Sequence, residues 1–170
     1  DTIAKFLLTS GSTGNPKAVI NTQRMICANQ VMLRETLAFL KDEPPVIVDW
    51  LPWNHTFGGN HNVGLTLYNG GSMYLDEGKP MPGGIEETVR NLREISPTVY
   101  FNVPKGYESL LPYLRDDADL RSKFFHRLHA MFFSGAALSP FVWNSLDALA
   151  VQEKGYRVPM LTGLGATETS

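Results

Sequence analysis

Short runs rich in β-branched and aromatic residues alternate along this chain with segments whose apolar residues recur at helical spacing. The runs predict strands over residues 5–9, 18–20, 46–50, 72–75, 98–102, 128–133 and 158–161. Several of these are apolar throughout, as parallel strands buried on both faces tend to be. The intervening segments predict helices over 24–40, 60–67, 85–95, 106–114 and 140–149. In the third, Ile85, Val89, Leu92 and Ile95 form one stripe with charges elsewhere, and Pro97 stops it. Pro140 suits the first turn of the last helix, where its missing N–H costs nothing. Such alternation predicts an α/β fold: a mainly parallel sheet with helices on both faces. Ligands of such sheets bind beyond the carboxyl ends of the strands. The unusual sequences of this chain fall there.

After the strand at 5–9 comes Thr9-Ser10-Gly11-Ser12-Thr13-Gly14-Asn15-Pro16-Lys17, with four hydroxyls, two glycines and one lysine in nine residues. The glycines allow positive φ and bring N–H groups close to an anion, the hydroxyls add donors, and Lys17 adds a point charge. Pro16 fixes the chain before the lysine and disfavours helix at Asn15. The stretch fits neither the P-loop spacing nor the dinucleotide fingerprint. An ordinary polar surface turn has the same composition.

These nine residues resemble the phosphate-loop signature of the adenylate-forming superfamily, which includes acyl-CoA synthetases, peptide-synthetase adenylation domains and luciferases. Ala18 stands where the family usually has a glycine. Three further stretches follow in family order. Leu51-Pro52-Trp53-Asn54-His55-Thr56-Phe57-Gly58-Gly59 is similar to the segment whose histidine borders the acyl pocket and the entry path of the thiol, which gives that role to His55. Its plainer use is to satisfy a backbone hydrogen bond. Ser134-Gly135-Ala136-Ala137-Leu138-Ser139 resembles a strand-end turn that presses its backbone on adenine; small side chains permit that approach. Ser139 also suits a helix N-cap before Pro140. Gly163-Leu164-Gly165-Ala166-Thr167-Glu168 resembles a signature whose threonine meets the α-phosphate and whose glutamate helps hold magnesium. Leu164 replaces its usual aromatic residue.

The resemblance covers the whole chain. It implies an ATP-dependent ligase that forms an acyl adenylate and then an acyl-CoA thioester, with ATP/AMP, Mg2+ and CoA as its small molecules and a carboxylic acid as substrate. Thr9, Ser10, Gly11, Ser12, Thr13, Gly14 and Lys17 take the β- and γ-phosphates. Gly135, Ala136, Ala137, Gly163, Leu164, Gly165 and Ala166 line the nucleotide. Lys17, His55, Thr167 and Glu168 are the catalytic set, Thr167 at the α-phosphate and Glu168 as the metal ligand. By finer similarity to feruloyl-CoA synthases, in Leu51 through His61 and Pro97 through Pro104, the acid is a hydroxycinnamate such as ferulate. Trp53, His55, Phe57 and Tyr100 would then line a flat slot, and Asn54, Asn60 or Asn102 would meet a phenol; each aromatic is equally a core residue. A fatty-acyl or other aryl-CoA ligase is the alternative, and a non-catalytic nucleotide-binding module is the rival from another class.

Bulk properties narrow the partners. At 170 residues and 43% hydrophobic content the chain can bury one domain's core, so 1–170 is expected to be a single α/β ATP/AMP-binding subdomain. A net charge of -2 provides no field for nucleic acid or an anionic membrane. The lone Cys27 rules out an internal disulfide framework and fits a reducing compartment, the cytoplasm by default. The start at Asp1 and the stop at Ser170, just after the last motif, are those expected of a piece of a longer enzyme. By the resemblance, a ribose-binding aspartate, a catalytic lysine and a C-terminal domain lie beyond it, and a homodimer is compatible with the family. The isolated piece is then expected to bind ATP weakly and not to turn over. His55 with His61 and His126 with His129 lack the carboxylates or cysteines of a metal site, which favours structural use. The acidic run Asp116, Asp117 and Asp119, beside Arg115 and Arg121, is expected to be a solvated loop and helix start.

Overall fold

A computed structural model describes residues 2–9 and 15–169. The chain divides into two compact units, one of residues 1–44, 51–71 and 165–170, the other of residues 45–50 and 72–164.

In the first unit β1 (Ile3–Thr9) pairs antiparallel with β2 (Lys17–Thr22), Phe6 opposite Ile20 and Thr9 opposite Lys17. This hairpin departs from the parallel pattern expected of most strands. Thr22 ends β2 and caps α1 (Gln23–Thr36), its Oγ1 accepting the Met25 N–H at 3.2 Å. The helix expected over 24–40 stops at Thr36, and a separate 3₁₀ turn, Ala38–Lys41, follows after Leu37. The helix expected over 60–67 begins earlier and in another form. Thr56–Val63 is π-helical and passes into α2 (Gly64–Tyr68). A 3₁₀ turn at Thr167–Thr169 completes the unit and packs on β2.

The second unit carries the parallel strands. β3 (Val46–Asp49) pairs with β4 (Ser72–Leu75), and β5 (Val99–Asn102), β6 (Ala130–Phe133) and β7 (Met160–Thr162) form a three-stranded parallel sheet. β3 adjoins β5, with the Thr98 N–H donating to the Val46 carbonyl at 3.0 Å and the Val46 N–H to Thr98 Oγ1 at 2.9 Å. The crossovers are α3 (Ile85–Glu94), α4 (Pro104–Asp116), α5 (Ala118–His126) and α6 (Pro140–Lys154). The stripe on α3 is buried as its period predicts, with Val89 and Leu92 at 2% and 0% exposure. Gly155 ends α6 in the left-handed region at φ 75°, where glycine carries no Cβ penalty.

Two readings of this unit change. The acidic run is the helix start expected of it, but it is more ordered than a solvated loop. Asp117 accepts the Leu120 N–H as N-cap of α5, and that bond, with the Arg93 guanidinium beside it, holds its carboxyl below the usual range. Arg121 is buried at 8% exposure, paired with Glu153 at 2.7 Å and donating to the carbonyls of Leu114 and Arg115. Ser139 does occupy the N-cap of α6, but its side chain makes no capping bond.

Candidate active site

The strand ends hold the expected residues in two groups. In the first unit the hairpin register sets Thr9 and Lys17 opposite each other at the mouth of the hydroxyl and glycine loop. Lys17 is exposed. Ser10, Gly11, Ser12, Thr13 and Gly14 lie outside the described residues, so the group is built here from its two ends. The turn Thr167–Thr169 packs against β2, which places Thr167 and Glu168 on the element that begins at Lys17. Thr169 Oγ1 and the Ala166 carbonyl close that turn at 3.2 Å. Glu168 is exposed.

His55 belongs to the same unit. It stands at the N-cap of the π-helical stretch, exposed, with Nδ1 accepting the Phe57 N–H at 3.2 Å. With Nδ1 accepting, the neutral ring carries its proton on Nε2. The plainer use expected of this histidine, satisfying a backbone hydrogen bond, is the one this contact makes. The glycines after it are required. A Cβ on Gly58 would sit 2.5 Å from the Pro52 carbonyl oxygen, and one on Gly59 would sit 2.1 Å from that of Trp53. His61 meets Phe57 edge-on at 5.7 Å and pairs through Nδ1 with Asn62 Oδ1 at 2.8 Å; burial pushes its pKa down.

The second unit supplies a ledge. Gly135, Ala136 and Ala137 follow β6 and are exposed, with Gly135 at φ 93°. Gly163 and Leu164 follow the neighbouring strand β7, and Leu164 is fully exposed. Ser134 Oγ donates to the Gly163 carbonyl at 3.0 Å and ties the two strand ends. A Cβ on Gly163 would lie 2.9 Å from Phe132 Cζ, so this ring sets how low the ledge can sit. Backbone and small side chains thus form a surface a flat base can approach. Gly165 and Ala166 fall with the first unit.

The aromatic slot is corrected in part. Tyr100 is buried at 1% exposure, edge-on to Phe124 and Tyr107 within its own unit's core, and burial raises its pKa far above the ordinary range. Asn102 is equally buried. It donates to Tyr100 Oη at 3.0 Å, and its Oδ1 accepts from Trp50 Nε1 at 3.2 Å and from the Val103 N–H at 2.8 Å. Asn60 is buried too and donates to Asn21 at 2.6 Å. None of the three is open to a phenol, because a ligand would have to displace bonds already made. Trp53 differs, being 53% exposed rather than core.

Ser134 entered only as the first residue of the strand-end turn, and Phe132, Asn21 and Gln30 were not singled out in the sequence. The Gly58-Gly59 pair was a usable signal for tight packing. Nothing in the sequence marks Gln30.

Among the described residues, no group of three or more His, Cys, Asp or Glu could hold a metal alone. Glu168 offers a single exposed carboxylate, which fits magnesium, a cation that keeps water and takes most other ligands from phosphate oxygens. No helix among the described residues is long and apolar enough to cross a membrane.

A sequence model of the family described as AMP-binding enzyme matches residues 1–170. The chain is 25% identical over 179 aligned positions to long chain acyl-CoA synthetase 6, peroxisomal, of Arabidopsis thaliana, covering 100% of this chain and 24% of the relative. It is 30% identical over 111 positions to the long-chain-fatty-acid–CoA ligase ACSBG2 of Xenopus laevis, covering 62% of this chain and 14% of the relative. Among solved structures, a malonyl-CoA ligase ternary product complex with methylmalonyl-CoA and AMP superposes with a TM-score of 0.72 at 24% identity, over 95% of this chain and 33% of that one. The chain spans a third or less of these three proteins, and it belongs to the AMP-binding enzyme family.

Proposed function

We propose that this chain is the nucleotide-handling part of an ATP-dependent ligase that activates a carboxylic acid as its acyl adenylate and passes the acyl group to the thiol of CoA. The observation that carries the reading is the packing of Thr167 and Glu168 on the strand that begins at Lys17, in a chain matched along its whole length by one nucleotide-binding family. A carboxylate oxygen of the acid attacks the α-phosphorus of ATP, the bond to the bridging oxygen breaks, and pyrophosphate leaves. The thiol sulfur then attacks the acyl carbon of the mixed anhydride, loses its proton and releases AMP.

The protein's task in the first step is positioning and charge neutralisation. Lys17 and the loop from Thr9 through Gly14 hold the β- and γ-phosphates, and the Thr167 hydroxyl donates to the α-phosphate. Gly135, Ala136 and Ala137, with Gly163, Leu164, Gly165 and Ala166, take the base and its sugar-phosphate edge. Leu164 gives adenine an aliphatic face. Glu168 would hold the magnesium ion, which supplies charge neutralisation for the phosphates. His55 presents its Nε2 proton on the side of the thiol.

For the acid, the names of the plant and frog relatives favour a long-chain fatty acid. A hydroxycinnamate such as ferulate is the second reading, and the exposed Trp53 two residues before His55 favours it, as a flat wall for an aromatic acid. The full-length protein assayed with ATP, CoA and ferulate, 4-coumarate, benzoate, octanoate or palmitate separates them. Preference for palmitate or octanoate removes the aromatic reading, and preference for ferulate removes the fatty-acyl one. Absence of AMP with every acid of the panel favours a non-catalytic nucleotide-binding module.

A further inference from the structure

The first unit buries four carboxamides where apolar side chains would ordinarily sit, Asn21, Gln30, Asn60 and Asn62, and the first three are joined to one another. Asn21 and Gln30 are 0% and 2% exposed, and Asn60 is 3% exposed. They form a chain of contacts: Asn60 Nδ2 donates to Asn21 Oδ1 at 2.6 Å, and Gln30 Nε2 donates to the Asn60 carbonyl at 2.8 Å. The arrangement is costly. Asn21 Nδ2 and Gln30 Oε1 are buried with no hydrogen-bond partner among the described residues, and such groups lower stability where an apolar cluster of the same shape would not.

What the amides provide, and leucines would not, is a directional link among three elements. Asn21 sits on β2, four residues along the strand from Lys17. Gln30 sits on α1. Asn60 sits in the π-helical stretch capped by His55, and π-helical turns recur at functional sites. The backbone is shaped to admit the link. A Cβ on Gly64 would fall 2.4 Å from Gln30 Nε2, so only glycine leaves room for that amide. At the other end Gly59 rests on the Trp53 carbonyl, where a Cβ would fall at 2.1 Å. The segment is therefore gripped on both sides of His61, with His55 at its start.

We infer that Asn21, Gln30 and Asn60 are positioning residues that hold the His55 segment in register with the strand of Lys17, and that they serve the thiol step rather than adenylation. This inference rests on the ligase reading and on the place of His55 in it. The carboxamides touch no substrate; they act through the π-helical stretch.

The test uses Gln30→Met and Asn21→Leu in the full-length protein. Three quantities are measured: acid-dependent ATP–pyrophosphate exchange, thioester formation from CoA, and backbone hydrogen exchange over residues 57–63 and 17–22. The expected result is exchange activity unchanged within about twofold and thioester formation lowered roughly 10- to 100-fold, the size of effect a small misplacement produces. Amides 57–63 should exchange faster and amides 17–22 should keep their rate. A merely structural role would lower both half-reactions together and speed exchange across the hairpin, and that outcome overturns the inference. So does an unchanged thioester rate. If the parent protein itself shows no acid-dependent pyrophosphate exchange, the ligase reading fails on its own control. The hydrogen-exchange comparison then decides separately whether the three carboxamides hold the segment.

Discussion

In the second unit the widest buried side chains are rings packed edge to face, Tyr100 on Phe124 at 5.2 Å and Phe124 on Phe125 at 5.0 Å. In the first unit a hairpin leaves Phe6, Leu8 and Ile20 at 57%, 72% and 50% exposure, while the interior holds carboxamides. Apolar burial in the parallel sheet fixes a rigid ledge at the strand ends, because every crossover helix contributes to one core. The first unit holds the side chains proposed for the chemistry, Lys17, His55, Thr167 and Glu168, and its loops are set by individual polar contacts and by glycines that allow no Cβ. The apolar core of the second unit and the proposed chemistry of the first are thus held by different means.

The sharpest way to break this contrast is to truncate one aromatic ring in each. Phe124→Ala should cost about 3–5 kcal/mol of unfolding free energy in a denaturant titration. Phe6→Ala should cost under about 1 kcal/mol, because a side chain already in water loses only its cross-strand partner Ile20. Equal losses would mean that the hairpin face is buried in the folded protein. Next in size is Arg121→Met, which leaves Glu153 and the carbonyls of Leu114 and Arg115 short of donors. It should cost about 1–3 kcal/mol by the same titration.

A smaller effect sharpens the picture of the first unit. The folded state holds the His61 pKa below its ordinary 6.5 through burial, so the unfolded chain takes up the proton first as pH falls. The stability from a neutral His61 is fully present above pH 6.5 and declines below it, toward the folded-state pKa. His61→Gln should flatten that part of the stability profile relative to the parent protein. Smallest of all is Lys105→Ala. Its partner Glu108 is one turn away on the exposed face of α4, and the change should stay within about 0.5 kcal/mol.

The period-two and helical patterns were enough to locate every strand and most helices, since buried parallel strands and the α3 stripe write their burial directly into composition. They did not reveal the π-helical form of residues 56–63. That form depends on Gly58 and Gly59 meeting carbonyls of Leu51 through Trp53, which no local spacing encodes. Of α5 only the start was legible, at the acidic run around Asp117, because the buried Arg121 looks like surface charge until Glu153 is brought beside it. In the candidate site, Gly135, Gly163, Thr167 and Glu168 were legible only through the resemblance of their motifs to a known family, since a strand-end turn and a Thr-Glu helix start have the same local sequence. Tyr100 and Asn102 misled for a similar reason. An aromatic ring and a carboxamide have the same composition whether they face a ligand or each other, and here each occupies the other's hydrogen bond.

The acyl-adenylate reading is tested most directly by the nucleotide products of the full-length protein with its acid, ATP and CoA, compared with those of Thr167→Ala. The account predicts AMP and pyrophosphate formed only when acid is present, with a rate lowered by roughly 100-fold in the variant, the scale expected for loss of a donor to developing charge. Release of ADP and phosphate, or AMP formed at the same rate without any acid, would contradict it.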